Sequence, residues 1–324
     1  MNTQNSAPVI VASGLGHTYK GGHTALVGVD LELGAGLFGL LGPNGAGKST
    51  LMRILCTLLE PTEGRASVFG HDVVQERQAV RGQIGYLPQD FGGWRLHRVE
   101  EVLDTLARLS GMREKAERRE RVAEVLEAVG LSEAAHRKVK KLSGGMVRRL
   151  GVAQALVHEP PVLVVDEPTV GLDPEERMRF RQLMARLGRD RTILLSTHIV
   201  ADLGGGCREL ALLDAGEVVF KGTPGELVQQ AHGKVFETKA SAADAERIET
   251  QHEVVSRRVV QGGVELRFVA ADAPTGTTPV TSPTLEESYL AFMAARGRSE
   301  AARQDEPEGD PAEGTDDTAE GADK

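Results

Sequence analysis

The chain has little of what marks a secreted or membrane-spanning protein. Two cysteines, Cys56 and Cys207, occur in 324 residues. They show no metal-site spacing, and so few cysteines suit a reducing compartment. No apolar run approaches the ~18 residues that a membrane-spanning helix needs. Residues 1–7 are polar and uncharged, unlike a secretion signal. Positive charge is also short: 38 Lys and Arg against 47 Asp and Glu leave a formal net charge of −9. Most of that charge lies at one end. In residues 299–324 ten acids face only Arg303 and Lys324, so this stretch carries −8 and the remainder −1. A nearly neutral body argues against nucleic acid as the main partner. The acidic stretch itself, small in its residues and free of aromatics, is expected to be disordered. Hydrophobic residues make up 40% of the chain, enough for a sizeable core in one large or two modest domains.

What is present is organised around Gly42-Pro43-Asn44-Gly45-Ala46-Gly47-Lys48-Ser49-Thr50. This stretch fits the phosphate-loop pattern G-x-x-x-x-G-K-[ST]. The apolar residues 37–41 before it read as a short buried strand. After it Leu51, Ile54, Leu55, Leu58 and Leu59 share one helical face. Strand, glycine loop and helix make the context the pattern requires. Glycines let the backbone turn until its N–H groups converge on a polyphosphate, and the helix start adds favourable partial charge. Lys48 supplies a point charge for the β- and γ-phosphates, and Ser49 a hydroxyl for Mg²⁺. Binding of a nucleoside triphosphate follows.

Other residues fall into place around that loop. Residues 9–11 and 26–33 read as strands flanking a loop at 17–23, where Tyr19 is either a ring stacked on a nucleotide base or an ordinary half-buried tyrosine. The strand at 84–87 ends in Pro88-Gln89-Asp90. Gln89 is placed to reach Mg²⁺ or an attacking water, and reads equally well as a turn residue. Residues 99–141 read as helical, with charge-dense stretches at 113–121 and 137–141 taken as solvated faces. Ser143-Gly144-Gly145 opens a further helix and forms a second anion site that needs a phosphate. The unbroken apolar run 162–165 suits a parallel strand covered on both faces. Asp166 at its end would hold Mg²⁺ and Glu167 would polarise the attacking water. His198 ends the next buried strand and either contacts the γ-phosphate or is structural. From Pro224 onward strands are expected near 234–239, 254–260 and 264–269. A helix is expected at 285–295, capped by Thr284 with Glu287 closing a capping box.

In this order the motifs resemble those of the nucleotide-binding subunits of ATP-binding cassette (ABC) transporters. GPNGAGKST, LSGGM at 142–146, VLVVDEP at 162–168 and Gly171-Leu172-Asp173 carry the resemblance over about residues 8–222. It makes Gln89 similar to the family's glutamine loop, His198 to its histidine switch and Tyr19 to its adenine-stacking aromatic. Met146 stands where the family most often has glutamine. The resemblance implies an α/β fold: a P-loop NTPase core with a mostly parallel sheet, an antiparallel N-terminal β part, a helical signature subdomain and a small C-terminal α+β extension at 223–298.

It further implies ATP and Mg²⁺ as ligands, with Ser49, Gln89 and Asp166 around the metal. Two subunits would pair head to tail, the phosphate loop of one and Ser143, Gly144 and Gly145 of the other enclosing each ATP. A separate permease would carry the transport, probed by the helical segment around Gln89. The chain would sit on the cytoplasmic face of the membrane, in contact with it only through the permease. The extension resembles that of exporters of drugs, antibiotics, lipids or polysaccharides. A soluble cassette protein acting on nucleic acid or ribosomes is the other reading. Such relatives carry tandem cassettes, coiled-coil insertions or zinc cysteines, none of which is present.

Overall fold

The computed structural model describes residues 8–92 and 94–297. The stretch 299–324, expected to be disordered, lies outside the described residues. The chain divides into two compact units, one up to Glu226 and one from Leu227.

The first unit runs β1 (Ile10–Thr18), β2 (Thr24–Leu33), β3 (Gly36–Leu41), α1 (Lys48–Leu55), β4 (Glu63–Val68), β5 (His71–Asp72), α2 (Arg77–Gln83) and β6 (Ile84–Leu87). It continues with α3 (Val99–Leu109), α4 (Lys115–Ala128), α5 (Gly144–Leu156), β7 (Val162–Val165), α6 (Pro174–Leu187), β8 (Thr192–Thr197), β9 (Cys207–Asp214) and β10 (Glu217–Gly222). Six strands form the central sheet in the order β10-β9-β3-β8-β7-β6. All its pairings are parallel except that of β9 with β10. Every residue of β3, β7 and β8 is buried, as expected of parallel strands covered on both faces. A second, antiparallel sheet has the order β2-β1-β4-β5.

The main core joins the two sheets. Leu51, Met52, Ile54 and Leu55 of α1 are fully buried in it among Leu15, Leu26, Leu40, Val164 and Leu194. At about 1.5–3 kcal/mol per large apolar side chain, this face anchors the helix that begins at the phosphate loop. The helix is shorter than the apolar spacing predicts. It ends at Leu55, Thr57 turns left-handed (φ 60°), and Leu58 is 58% exposed. Arg81 Nε donates to Thr57 Oγ1 at 2.7 Å and so fastens the turn. Residues 99–141, expected to be helical, hold two helices. α3 and α4 are separate helices, followed by two short 3₁₀ turns. The buried Arg118 ties them, donating from Nε to Asp104 (2.8 Å) and from Nη1 to the carbonyls of Met112 and Arg113. No helix among the described residues is long and apolar enough to cross a membrane.

The second unit begins within α7 (Pro224–Gln230) and adds β11 (Val235–Ala240), α8 (Ala242–Gln251), β12 (Glu253–Val260), β13 (Gly263–Val269), β14 (Thr278–Pro279) and α9 (Leu285–Ala295). Its sheet is antiparallel, in the order β12-β13-β11-β14. Alternation along β11 and β13 separates two small cores. Phe236, Leu266 and Phe268 pack with Ala245 of α8, while Val235 and Val269 pack with Ala291 of α9. The Thr284–Glu287 capping box is formed: Glu287 N–H donates to Thr284 Oγ1 (3.1 Å) and Thr284 N–H to Glu287 Oε2 (2.7 Å). Residues 273–283, rich in Pro, Thr and Gly, contain the short strand β14, whose Pro279 is tolerated because the strand lies at the sheet edge.

Candidate functional site

Parallel strands send all their C-terminal ends to one edge of a sheet, and ligands of such sheets bind there. Here β3 ends in the phosphate loop, β6 in Pro88-Gln89, β7 in Asp166-Glu167 and β8 in Thr197-His198. Four separate stretches of sequence are thereby delivered to one place. They line an open cleft of about 430 Å³ with Tyr19, Asn44, Gly45, Gly47, Lys48, Ser49, Thr50, Gln89, Glu167 and His198. His23, Ala25 and Val170 complete the lining and were not singled out by the sequence.

The phosphate loop is held tightly. Gly47 has φ 102°, and a Cβ there would lie 2.4 Å from the Ala25 carbonyl oxygen, so only glycine fits. Lys48 is 5% exposed. Its ammonium donates to the carbonyls of Gly42 (2.8 Å) and Pro43 (3.0 Å) and lies 3.1 Å from Glu167 Oε1. Ala46, like Lys48, is buried, whereas Asn44 and Gly45 are exposed.

The acidic pair at the end of β7 is held by a residue the sequence did not point to. Ser196 Oγ donates to Asp166 Oδ1 at 2.5 Å and accepts from the Glu167 N–H at 3.0 Å. One hydroxyl therefore fixes both acids, and nothing in a run of small and polar residues at a strand end announces it. Glu167 sits in the left-handed region (φ 44°), a conformation that typically costs a non-glycine residue ~1–3 kcal/mol and gathers at functional turns. Its Oε2 pairs with His198 Nδ1 at 2.8 Å. Lys48, Glu167 and His198 thus form one continuous chain of contacts in the cleft. Asp202 was also missed. It is buried and accepts from Thr169 and from Thr197 Oγ1 (3.1 Å), joining the turn after β7 to the end of β8. Near Asp166, burial first and the aspartate charge second push the Cys56 thiol well above its usual range, so it stays protonated.

Tyr19 lies in the tight turn between β1 and β2, closed by Tyr19 N–H to His23 O (2.9 Å) and Gly22 N–H to Tyr19 O (2.8 Å). Its hydroxyl is 3.0 Å from Thr50 Oγ1, which sets the ring beside the phosphate loop. Gln89 is exposed at the cleft, and its carbonyl and that of Pro88 accept from Arg148 Nη1 of α5. Burial lowers the pKa of Arg148.

Ser143, Gly144 and Gly145 are not part of this cleft. Ser143 caps α5, its Oγ accepting from Met146 N–H at 3.2 Å. The bond uses the backbone of residue 146, so methionine in place of glutamine leaves it intact. Ser143 and Gly144 are exposed, while Gly145 is buried against Glu176.

The oxygen donors fit a hard divalent cation. Ser49 and Gln89 line the cleft, and the buried Asp166, which is not part of its lining, lies one residue before the lining Glu167. Among the described residues no cluster of three or more His, Cys, Asp or Glu forms a closed metal cage.

Comparison with known proteins agrees with this geometry. Residues 26–170 match the family model described as ABC transporter. The daunorubicin/doxorubicin resistance ATP-binding protein DrrA of Streptomyces peucetius is 41% identical over 76% of this chain and 76% of its own length. The probable multidrug ABC transporter ATP-binding protein YbhF of Escherichia coli (strain K12) is 33% identical over 90% of this chain, a match that spans 53% of YbhF. Among solved structures, the dimeric structure of MJ0796, a bacterial ABC transporter cassette, has a TM-score of 0.60 at 28% identity, covering 66% of this chain and 98% of that one.

Proposed function

The chain belongs to the ABC transporter family as an ATP-binding subunit, and from that premise we propose that it hydrolyses ATP at the strand-end cleft to drive export through a separate permease. It is an ATPase of the α/β cassette fold, with an antiparallel β part and a central sheet of mainly parallel strands. The observation that carries the reading of the site is the meeting of Tyr19, the phosphate loop, Gln89, Glu167 and His198 in one cleft, with Ser143-Gly144-Gly145 outside it.

The residues divide the work. The loop N–H groups and Lys48 receive the triphosphate, and Tyr19 offers its ring to the base. In the structure Lys48 donates to the carbonyls of Gly42 and Pro43 and forms an ion pair with Glu167. A γ-phosphate competes for that ammonium and so releases Glu167 Oε1. Glu167 then orients and deprotonates the attacking water, held in place by Ser196 and His198. Mg²⁺, held by Ser49, Asp166 and Gln89, supplies charge stabilisation to the phosphoryl oxygens when bound. The signature turn completes the site of a second subunit, so that each ATP lies between two chains.

The names of DrrA and YbhF support a drug-like cargo for export. In this reading residues 8–222 form the ATPase domain and 223–298 an accessory domain. The chain works at the cytoplasmic face of the membrane. Phosphate release by the purified chain, with and without Mg²⁺, tests the enzymatic part. Transport into inverted vesicles carrying the permease tests the rest: uptake of a cationic drug requiring both this chain and ATP is expected. Hydrolysis that no permease stimulates would contradict the export reading.

A further inference from the structure

Asp202 does not line the cleft, yet it is bonded to both segments that carry the Glu167–His198 pair. It is 3% exposed and closes the short 3₁₀ turn Val200–Asp202 after β8. Its Oδ2 accepts two hydroxyls. One comes from Thr169, two residues after Glu167. The other comes from Thr197, the residue before His198. The Thr197 hydroxyl lies 3.1 Å from Asp202 and 3.4 Å from Ile199 O, so the nearer, charged acceptor takes its single proton. Thr197 Oγ1 also accepts the Ile199 N–H at 2.9 Å. The residues on either side of His198 are therefore tied to each other and, through that hydroxyl, to Asp202. Asp202 Oδ1 lies 3.8 Å from Arg177 Nε of α6, the helix that the turn after β7 leads into. A single buried carboxylate thus joins the turn after β7, the end of β8 and the first turns of α6.

Glu167 needs such support. Its left-handed φ of 44° is a conformation that persists only where the surroundings over-determine it. Ser196 holds it from the N-terminal side, accepting the Glu167 N–H. On the C-terminal side the turn is closed by the Leu172 N–H to Thr169 O (3.1 Å) and tethered by the Thr169 hydroxyl to Asp202. We infer that Asp202 is a positioning residue for hydrolysis. It fixes the turn after Glu167 against the strand end before His198, and so sets the 2.8 Å contact between Glu167 Oε2 and His198 Nδ1. A carboxylate suits this task, because hydrogen bonds to a charged acceptor are short and strong, and burial strengthens them further. Asp202 makes no bond to the phosphate loop or to Lys48, so its removal spares the groups that receive the triphosphate.

Asp202 plays this part only if hydrolysis runs through Glu167, so the proposal rests on the hydrolytic reading of the cleft. Two kinds of measurement on the full chain keep them apart. In the first, kcat and the Kd for ATP are measured for Asp202→Ala, with Tm as the check of folding. Loss of the two bonds should lower kcat about a hundredfold, as small misplacements of reacting groups do, and leave the Kd unchanged. Thr169→Val and Thr197→Val each remove one hydroxyl and should lower kcat in the same direction by less. They decide the matter if Asp202→Ala does not fold. In single turnovers of a Glu167→Gln chain, adding Asp202→Ala should cost nothing further, because the group it positions is gone. The second measurement needs no turnover: the ¹⁵N resonances of the His198 ring in the nucleotide-free chain should move in Asp202→Ala and in Thr197→Val. A parent that does not hydrolyse ATP would defeat the function proposed above, and the His198 signal would still decide the role of Asp202. The inference is overturned by a folded Asp202→Ala that turns over like the parent, or by threonine variants that do so where Asp202→Ala does not fold. A Kd that worsens in step with kcat, an equal further loss in the Glu167→Gln chain, or an unmoved His198 signal would overturn it as well.

Discussion

The phosphate loop and the signature turn both place glycines at the start of a helix, yet their surroundings differ. At the phosphate loop, Lys48 is buried, donates to two carbonyls of its own chain and forms an ion pair with Glu167. Glu167 is locked between Lys48, Ser196 and His198. At the signature turn, Ser143 and Gly144 face solvent, and the only cap bond takes the N–H of Met146. Among the described residues the N–H groups of Gly144 and Gly145 meet no acceptor from another part of the chain. The phosphate loop is engaged within its own chain, whereas the signature turn is open to solvent. Mutations in the first should therefore disturb the isolated chain, and mutations in the second only the assembly.

The largest effect is expected at Glu167. Glu167→Gln keeps the shape of the side chain and removes the base, which should slow turnover by about 10²–10⁴. ATP should still bind, and an ATP-loaded dimer should accumulate in light scattering. A slow variant that stays monomeric would break the comparison, because the signature turn would then have no partner. Next is Lys48→Ala, which removes a charge-assisted contact worth ~1.5–3 kcal/mol and should weaken ATP binding tenfold or more in calorimetry. It also leaves the buried Glu167 Oε1 without its cation. The expected loss is about 3 kcal/mol, roughly 5–10 °C in the Tm of the nucleotide-free protein. Gly144→Asp should leave Tm almost unchanged, since nothing lies within 4 Å of a Cβ there and an acid suits a helix start. An equal Tm loss in both variants would erase the distinction between the two turns.

A smaller effect is expected at Tyr19. Base stacking on an aromatic ring is worth ~1–3 kcal/mol, so Tyr19→Ala should weaken ATP about tenfold and leave inorganic triphosphate unaffected in competition binding. Equal losses for both ligands would place Tyr19 at the phosphates, through its bond to Thr50. Smallest of all, removing residues 299–324 should leave Tm and hydrolysis unchanged. A drop of many degrees would show that the stretch is docked.

The sequence made legible what depends on local pattern. The phosphate loop, the apolar strand before Asp166-Glu167 and the capping box at Thr284 each need only a few consecutive residues, and each appears in the structure. Tyr19, Gln89 and His198 were ambiguous one by one, because the signal that joins them is the parallel sheet, which gathers strand ends from across the chain. Ser196 and Asp202 stayed hidden for the same reason: Ser196 bonds to Asp166 and Asp202 to Thr169, each about thirty positions away, and no local pattern marks a hydroxyl that holds two acids. The basic stretch 137–141 read as a solvated face, and nothing in the sequence announced its main-chain pairing with residues 95–99. Leu58 misled, since its spacing is helical but the helix stops before it at a turn fastened by Arg81.

The central claim is that the exposed signature turn of one subunit completes the phosphate-loop site of another. Two chains, each inactive alone, test it most directly. Lys48→Ala has a defective loop and a sound signature. Gly144→Asp has a sound loop and a carboxylate where a γ-phosphate should dock, so like charges repel. Gly144 is preferred to Gly145, where a Cβ would already meet Glu176 Oε2 at 2.1 Å. In the mixed dimer one site joins the sound loop to the sound signature. Phosphate release is measured as the two chains are mixed in varying proportion, with energy transfer between differently labelled chains reporting ATP-dependent pairing. The account predicts pairing and a partial return of hydrolysis that rises with the mixed-dimer fraction. Two folded chains that show neither pairing nor hydrolysis at any proportion would contradict it.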